Sequence, residues 1–191
     1  MKAIKTELEG VVILEPEIHR DSRGYFFESW TQRDFDRLVG NVQFVQENQS
    51  RSTAGVVRGL HFQRPPHAQA KLVGVVSGRV LDVAVDIRVG SPTYGRWVAV
   101  ELSDDNHRRL FIPRGFAHGF AVLSDEATFT YKCDNYYAPQ SEGGIAWDDP
   151  DLAIAWPEFD GCEPIISEKD RNHCRWIDFI SPFSYDICKQ L

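Results

Sequence analysis

The sequence has no apolar run approaching the ~20 residues that span a bilayer. Its opening, Met-Lys-Ala-Ile-Lys-Thr-Glu-Leu-Glu, carries two lysines but no apolar core, so it does not read as a secretion leader. The cysteines Cys133, Cys162, Cys174 and Cys188 include no C-x-x-C pair, which argues against a zinc site. With no leader, they are expected as reduced thiols of a cytoplasmic protein. The G-x-x-x-x-G-K and G-x-S-x-G patterns are both missing, which removes the P-loop and the nucleophile elbow. Positive charge is short as well: 21 Lys and Arg against 28 Asp and Glu leave a net −7. Such a surface is a poor partner for duplex DNA, whose binding rests on neutralising phosphates. A small anion is still admissible, because a few local cations can hold one. There is no internal repeat and no low-complexity segment.

What is present is alternation. Leu81, Val83, Val85, Ile87 and Val89 form one apolar face, with Asp82, Ala84, Asp86 and Arg88 on the other. Period 2 predicts a β-strand with two different faces. Phe129, Tyr131 and Cys133 alternate with Thr128, Thr130 and Lys132 in the same way. Further strands are expected at 10–14, 42–46, 56–62, 72–76, 97–102, 110–112 and 119–123. Ser77-Gly78, Gly90-Ser91-Pro92, Ser103-Asp104-Asp105-Asn106 and Pro113-Arg114-Gly115 supply turns between them. Many short strands with regular turns predict an all-β sandwich or barrel. The best helix candidate is 31–39, with Thr31 as cap, Phe35 and Leu38 on one face and Gly40 as stop. The 191 residues suffice for one domain with a sizeable core, and 1–191 is expected as one, with the tail after about 151 packed on the barrel as short helices and loops.

Four clusters carry possible chemistry. Arg58 and His61 lie on one predicted strand, on opposite faces by strict alternation; Gly59 between them would permit a bulge that turns both inward. Alone, they read equally well as a surface arginine and a hydrogen-bonded histidine. The turn Pro113-Arg-Gly-Phe-Ala-His118 delivers His118 onto the next strand, with purpose or incidentally. Tyr131 alone reads as a core tyrosine, and Tyr136 and Tyr137 in the polar loop after it could stack on a base or merely cover the core. Ser167-Glu-Lys169-Asp170 reads as a capped helix start. No metal triad emerges: where metal-binding cupins offer His-x-His, this chain has His61-Phe-Gln63, and His118 alone is not a site.

Together these segments resemble the dTDP-4-dehydrorhamnose 3,5-epimerase family, from about Gly10 to Asp170. The resemblance is carried by Asp21-Ser-Arg-Gly-Tyr-Phe-Phe-Glu28, Phe44-Val-Gln-Glu-Asn48, Val57-Arg-Gly-Leu-His61, Ala70-Lys71-Leu-Val, Val83-Ala-Val-Asp-Ile-Arg88, Ser91-Pro-Thr-Tyr-Gly-Arg-Trp97, Ile112-Pro-Arg-Gly-Phe-Ala-His-Gly-Phe120, Asn135-Tyr-Tyr137, Gly144-Ile-Ala-Trp-Asp148 and Ser167-Glu-Lys-Asp170. It implies a cupin-type jelly-roll barrel with short flanking helices, a homodimer that exchanges N-terminal strands, and neither metal nor other cofactor. It implies His61 as catalytic base, Asp170 as the carboxylate that orients it, Tyr131 as acid on the opposite sugar face, and Lys71 and Arg58 as cations near the reacting sugar and phosphates. Arg23, Glu28, Gln46, Asn48, His118, Glu142 and Lys169 match residues that bind the nucleotide sugar, with Arg23 and Glu28 reaching across the dimer. Tyr137 matches an aromatic that stacks on thymine. Gln49, Glu47 and Gly74 depart from the family pattern, where His, Asp and Arg are common. The tail beyond Asp170 carries no family signal.

The implied reaction inverts C3 and C5 of dTDP-4-keto-6-deoxy-D-glucose to give dTDP-4-keto-L-rhamnose. The 4-ketone acidifies the neighbouring C–H groups, and inversion needs a base on one face and an acid on the other. Histidine suits the base, with an ordinary pKa of ~6.5. Asp82 rivals Asp170 as its partner, since it lies on the non-aliphatic face of its strand. The rival readings are a mono-epimerase acting at C3 or C5 only, a metal-dependent cupin using His61 and His118, and a non-catalytic sugar-binding cupin.

Overall fold

The computed structural model describes residues 1–159, 161 and 163–188. Cys162 and the Cys188 side chain lie outside the description; among the described residues Cys133 and Cys174 are free thiols.

In chain order the elements are β1 (Lys2–Lys5), β2 (Val12–Glu15), β3 (His19–Asp21), β4 (Gly24–Phe26), α1 (Gln32–Leu38), β5 (Gln46–Thr53), β6 (Val57–Gln63), β7 (Lys71–Ser77), β8 (Arg79–Asp86), β9 (Arg88–Val89), β10 (Trp97–Ser103), β11 (Arg109–Ile112), β12 (Phe116–Val122), β13 (Glu126–Cys133), β14 (Glu142–Gly144), α2 (Glu168–Arg171), β15 (Phe183–Ser184) and α3 (Tyr185–Cys188). Among the described residues the two large antiparallel sheets run in the orders β1-β2-β11-β7-β13-β5 and β10-β8-β12-β6-β14. From β6 to β8 and from β10 to β13 successive strands pass from one sheet to the other, the path of a jelly roll. No helix among the described residues is long and apolar enough to cross a membrane.

The sheets face each other over a core in which Val73, Leu110 and Phe129 of one meet Val80, Ala84, Leu102 and Phe120 of the other. Each sheet is also covered on its outside. Phe35 of α1 packs with Leu14, Leu72 and Phe111 on the six-stranded sheet, and Thr31 caps α1 by accepting from Asp34 N–H. On the five-stranded sheet, Leu81, Val83, Val85 and Ile87 pack against Leu152, Trp156, Trp176, Phe179 and Phe183. The aliphatic face of the 81–89 pattern is therefore buried outside the barrel, and its other face carries Asp82 inward.

Two expected strands need correction. The pattern at 42–46 gives no strand: Val42 and Phe44 pack beside Phe35, and pairing begins at Gln46 and runs to Thr53. This strand is polar and borders its sheet, so hydrophobic runs could not reveal it. The strand at 81–89 stops at Asp86, whose carboxylate accepts from the Arg88 backbone N–H at 3.0 Å and its guanidinium at 2.7 Å. That carboxylate turns the chain, and Val89 is left exposed.

One irregularity positions the site. Strand β12 pairs His118 with His61 and Phe120 with Arg58, so β6 fits one extra residue between the two pairs. Gly59 takes a φ of 128° in this bulge, and a Cβ there would lie 2.5 Å from Gly119 Cα. Arg58 and His61 consequently both line the interior cavity. We expect Gly59→Ala to cost about 2–4 kcal/mol of stability, read from the urea midpoint, because both the dihedral and the close backbone approach forbid a methyl group.

Candidate active site

Strand β6 brings His61 from the five-stranded sheet, and β13 brings Tyr131 from the six-stranded sheet. Both line two adjoining pockets, which also share Lys71, Tyr137 and Glu142. Gln46, Asn48 and Gln69 line the outer pocket, and Ser50, Arg58 and His118 the inner one. The even-numbered residues of β5 are the half-buried ones, so Gln46, Asn48 and Ser50 face inward from a strand whose polar pattern had no place in an apolar core.

Asp170 is buried behind His61. Its Oδ1 lies 2.7 Å from His61 Nε2, and its Oδ2 accepts the Gly59 N–H at 3.1 Å. Ser167 caps α2 by accepting from Asp170 N–H, which fixes the backbone that carries the carboxylate. Burial raises the Asp170 pKa, but the hydrogen bond and charge of His61 and the Gly59 N–H outweigh it and hold the carboxyl below its ordinary value. Asp82 instead lies 2.9 Å from His118 Nε2. Each imidazole therefore has its own carboxylate, and the partner of His61 is Asp170. Burial lowers the His118 pKa, with Asp82 restoring only part of it.

The other groups complete the electrostatics. Lys71 Nζ lies 5.8 Å from the centre of the Tyr131 ring, and burial pulls its ammonium pKa down. Burial pushes the Tyr131 phenol up, so it keeps its proton at neutral pH. Burial also pushes the Cys133 thiol up to about 11, which makes it inert as a nucleophile. At the mouth, Tyr137 Oη donates to Glu142 at 2.8 Å, Glu142 pairs with Lys169, and Tyr137 N–H donates to Gln46 at 2.9 Å. Arg58 Nε donates to Ser52 at 3.0 Å.

Arg23 and Glu28 are not brought to this cavity. Arg23 pairs with Asp21 at 2.6 Å in the exposed hairpin of β3 and β4, and Glu28 is exposed. Conversely, sequence reasoning missed Gln63, Gln69 and His173. Gln63 is buried, donates to the carbonyls of His67 and Tyr136, and accepts from Ala138 N–H, so it holds the loop that presents Tyr137. A glutamine two residues after His61 signalled only a missing metal ligand. His173 stands edge-on to His61 with ring centres 5.4 Å apart, in a tail without recognisable pattern.

The family described as dTDP-4-dehydrorhamnose 3,5-epimerase matches residues 5–178 of this sequence. The chain belongs to that family. The epimerase of Shigella flexneri is 53% identical over 179 residues, covering 93% of this chain and 97% of that protein. A crystal structure of the Legionella pneumophila epimerase in complex with dTDP-4-keto-L-rhamnose superposes with a TM-score of 0.89 at 48% identity, covering 94% of each chain. The Mycobacterium tuberculosis epimerase superposes with a TM-score of 0.95 at 42% identity, covering 100% of this chain and 97% of the other. These likenesses make the chain an isomerase of nucleotide-sugar metabolism and favour the 3,5-epimerase over the mono-epimerase and metal-cupin readings.

The Asp170 geometry has a consequence for stability. A depressed carboxylate contributes stability that is present above its unfolded pKa and lost as pH falls through the folded one. Replacing the carboxylate with an uncharged amide removes that contribution. We expect the stability gap between the wild type and Asp170→Asn, read from urea midpoints, to be largest at neutral pH and to close as pH drops below the ordinary value of 3.8.

Proposed function

We propose that this chain inverts C3 and C5 of dTDP-4-keto-6-deoxy-D-glucose by proton transfer through an enolate. The observation that carries the reading is the opposition of His61 and Tyr131, from facing sheets, across one cavity that also holds Lys71. With Nε2 committed to Asp170, the His61 nitrogen left to take a proton is Nδ1. Asp170 fixes the tautomer and stabilises the imidazolium formed. Charge then develops on the keto oxygen, where Lys71 stabilises it from a fixed position. Tyr131 delivers its phenolic proton from the other face, which inverts the centre. His118 and Arg58 serve the sugar and phosphate groups, and Gln46, Asn48, Glu142 and Lys169 bind the nucleotide sugar. Tyr137, half exposed at the mouth, stacks on the thymine ring.

The reading extends to one epimerase domain that works in the cytoplasm as a homodimer with exchanged N-terminal strands. Two features support the exchange: Tyr25 and Phe26 are 54% and 72% exposed in the β3–β4 hairpin, and Arg23 and Glu28 stand away from their own cavity. Light scattering should give twice the 21.8 kDa chain mass; a fully active monomer would rule the exchange out.

His61→Ala is expected to bind the nucleotide sugar nearly as before but to lose about 10²–10⁴-fold in solvent deuterium uptake at C3 and C5, followed by NMR in heavy water. Exchange at the wild-type rate would remove His61 from the base role. Tyr131→Phe is expected to keep exchanging deuterium while yielding little inverted product. Normal epimerisation by that variant would eliminate Tyr131 as the acid.

A further inference from the structure

We propose that His61, Asp170 and His173 form a binding site for a divalent first-row transition cation, and that the cation switches the enzyme off. The proposal rests on the reading of His61 as base. One nitrogen of each imidazole and one oxygen of Asp170 all lie within 4.8 Å of one another. Tetrahedral zinc bonds of ~2.0–2.2 Å place donors about 3.3 Å apart, so modest ring rotations close the site. Two imidazoles and one carboxylate suit zinc, cobalt or nickel better than magnesium or calcium.

Two further observations point the same way. His173 Nδ1 is buried without a hydrogen-bond partner among the described residues, a deficit that a bound ligand would meet. The ring also has a built seat: it packs flat on Gly144, where a Cβ would come within 2.2 Å of it. His61 lines the cavity, so an ion reaches the cluster by the route the substrate uses. Once bound, the cation occupies the lone pair of His61 and draws Asp170 away from its orienting role. The base is lost without any change of fold.

The test uses the full chain stripped with a chelator. Cobalt(II) is titrated in at near-neutral pH, its ligand-field absorption reports binding, and epimerisation of dTDP-4-keto-6-deoxy-D-glucose is followed in parallel. We expect the wild type to bind one equivalent, with activity falling along the same curve and returning on chelation. His173→Ala and the shape-conserving His173→Gln should each weaken cobalt binding about tenfold or more, and shift inhibition of their own metal-free rate equally, since even an outer partner of a ligand is worth 10–100-fold. Absence of a cobalt spectrum in the wild type, or unchanged binding by both folded variants, overturns the site. Chelated wild type that turns over substrate but ignores cobalt overturns the metal site alone. Protein that binds cobalt through His173 but never epimerises upholds the site and overturns the catalytic reading.

Discussion

The structure turns on one carboxylate. Asp170 gives one oxygen to His61 and the other to the Gly59 N–H, the backbone group in the bulge of β6. An unpaired buried N–H costs roughly as much as a lost hydrogen bond, so the bulge is tolerable because Asp170 answers it. The same contact sets the imidazole. The irregular strand, the capped turn of α2 and the His61 ring are thus fixed by one group, and none of the three is independent of the others.

Around that contact the barrel interior divides by polarity. Leu102, Leu110 and Ile112 fill one region as an ordinary core, Asn48, Ser50, Lys71 and His118 line the other, and Phe120 and Phe129 belong to both, packed in the core and lining the cavity. Removing water from the polar region moves protons in a useful direction. Tyr131 is held in its donor form, His118 in its neutral form, and the Lys71 ammonium is destabilised by burial, so a developing negative charge beside it is welcome. The aliphatic face of β8 helps indirectly. By packing against Trp176, Phe179 and Phe183 it ties down the segment that leaves α2.

Much of this was legible in the sequence, for identifiable reasons. The alternation in 81–89 and 128–133 marks strands because one face of each is apolar. The helix at 31–39 and the capped turn at Ser167 read correctly because capping is a local matter, settled within a few residues. The polar strand Gln46–Thr53 did not, since its inward residues serve a cavity and not a core. The choice between Asp82 and Asp170 was also closed to sequence reasoning: both are buried acids near an imidazole, and only the register of β12 on β8 assigns Asp82 to His118. His173 carried no signal, because its place depends on where the tail settles after Asp170.

His61 and Asp170 are 109 residues apart in the chain. Contacts of such separation form only after the intervening polypeptide has been ordered. A nascent chain emerging from the ribosome therefore carries His61 long before it carries the carboxylate that holds its ring. The His61–Asp170 pair waits until the chain as far as α2 has been made and has folded back onto β6.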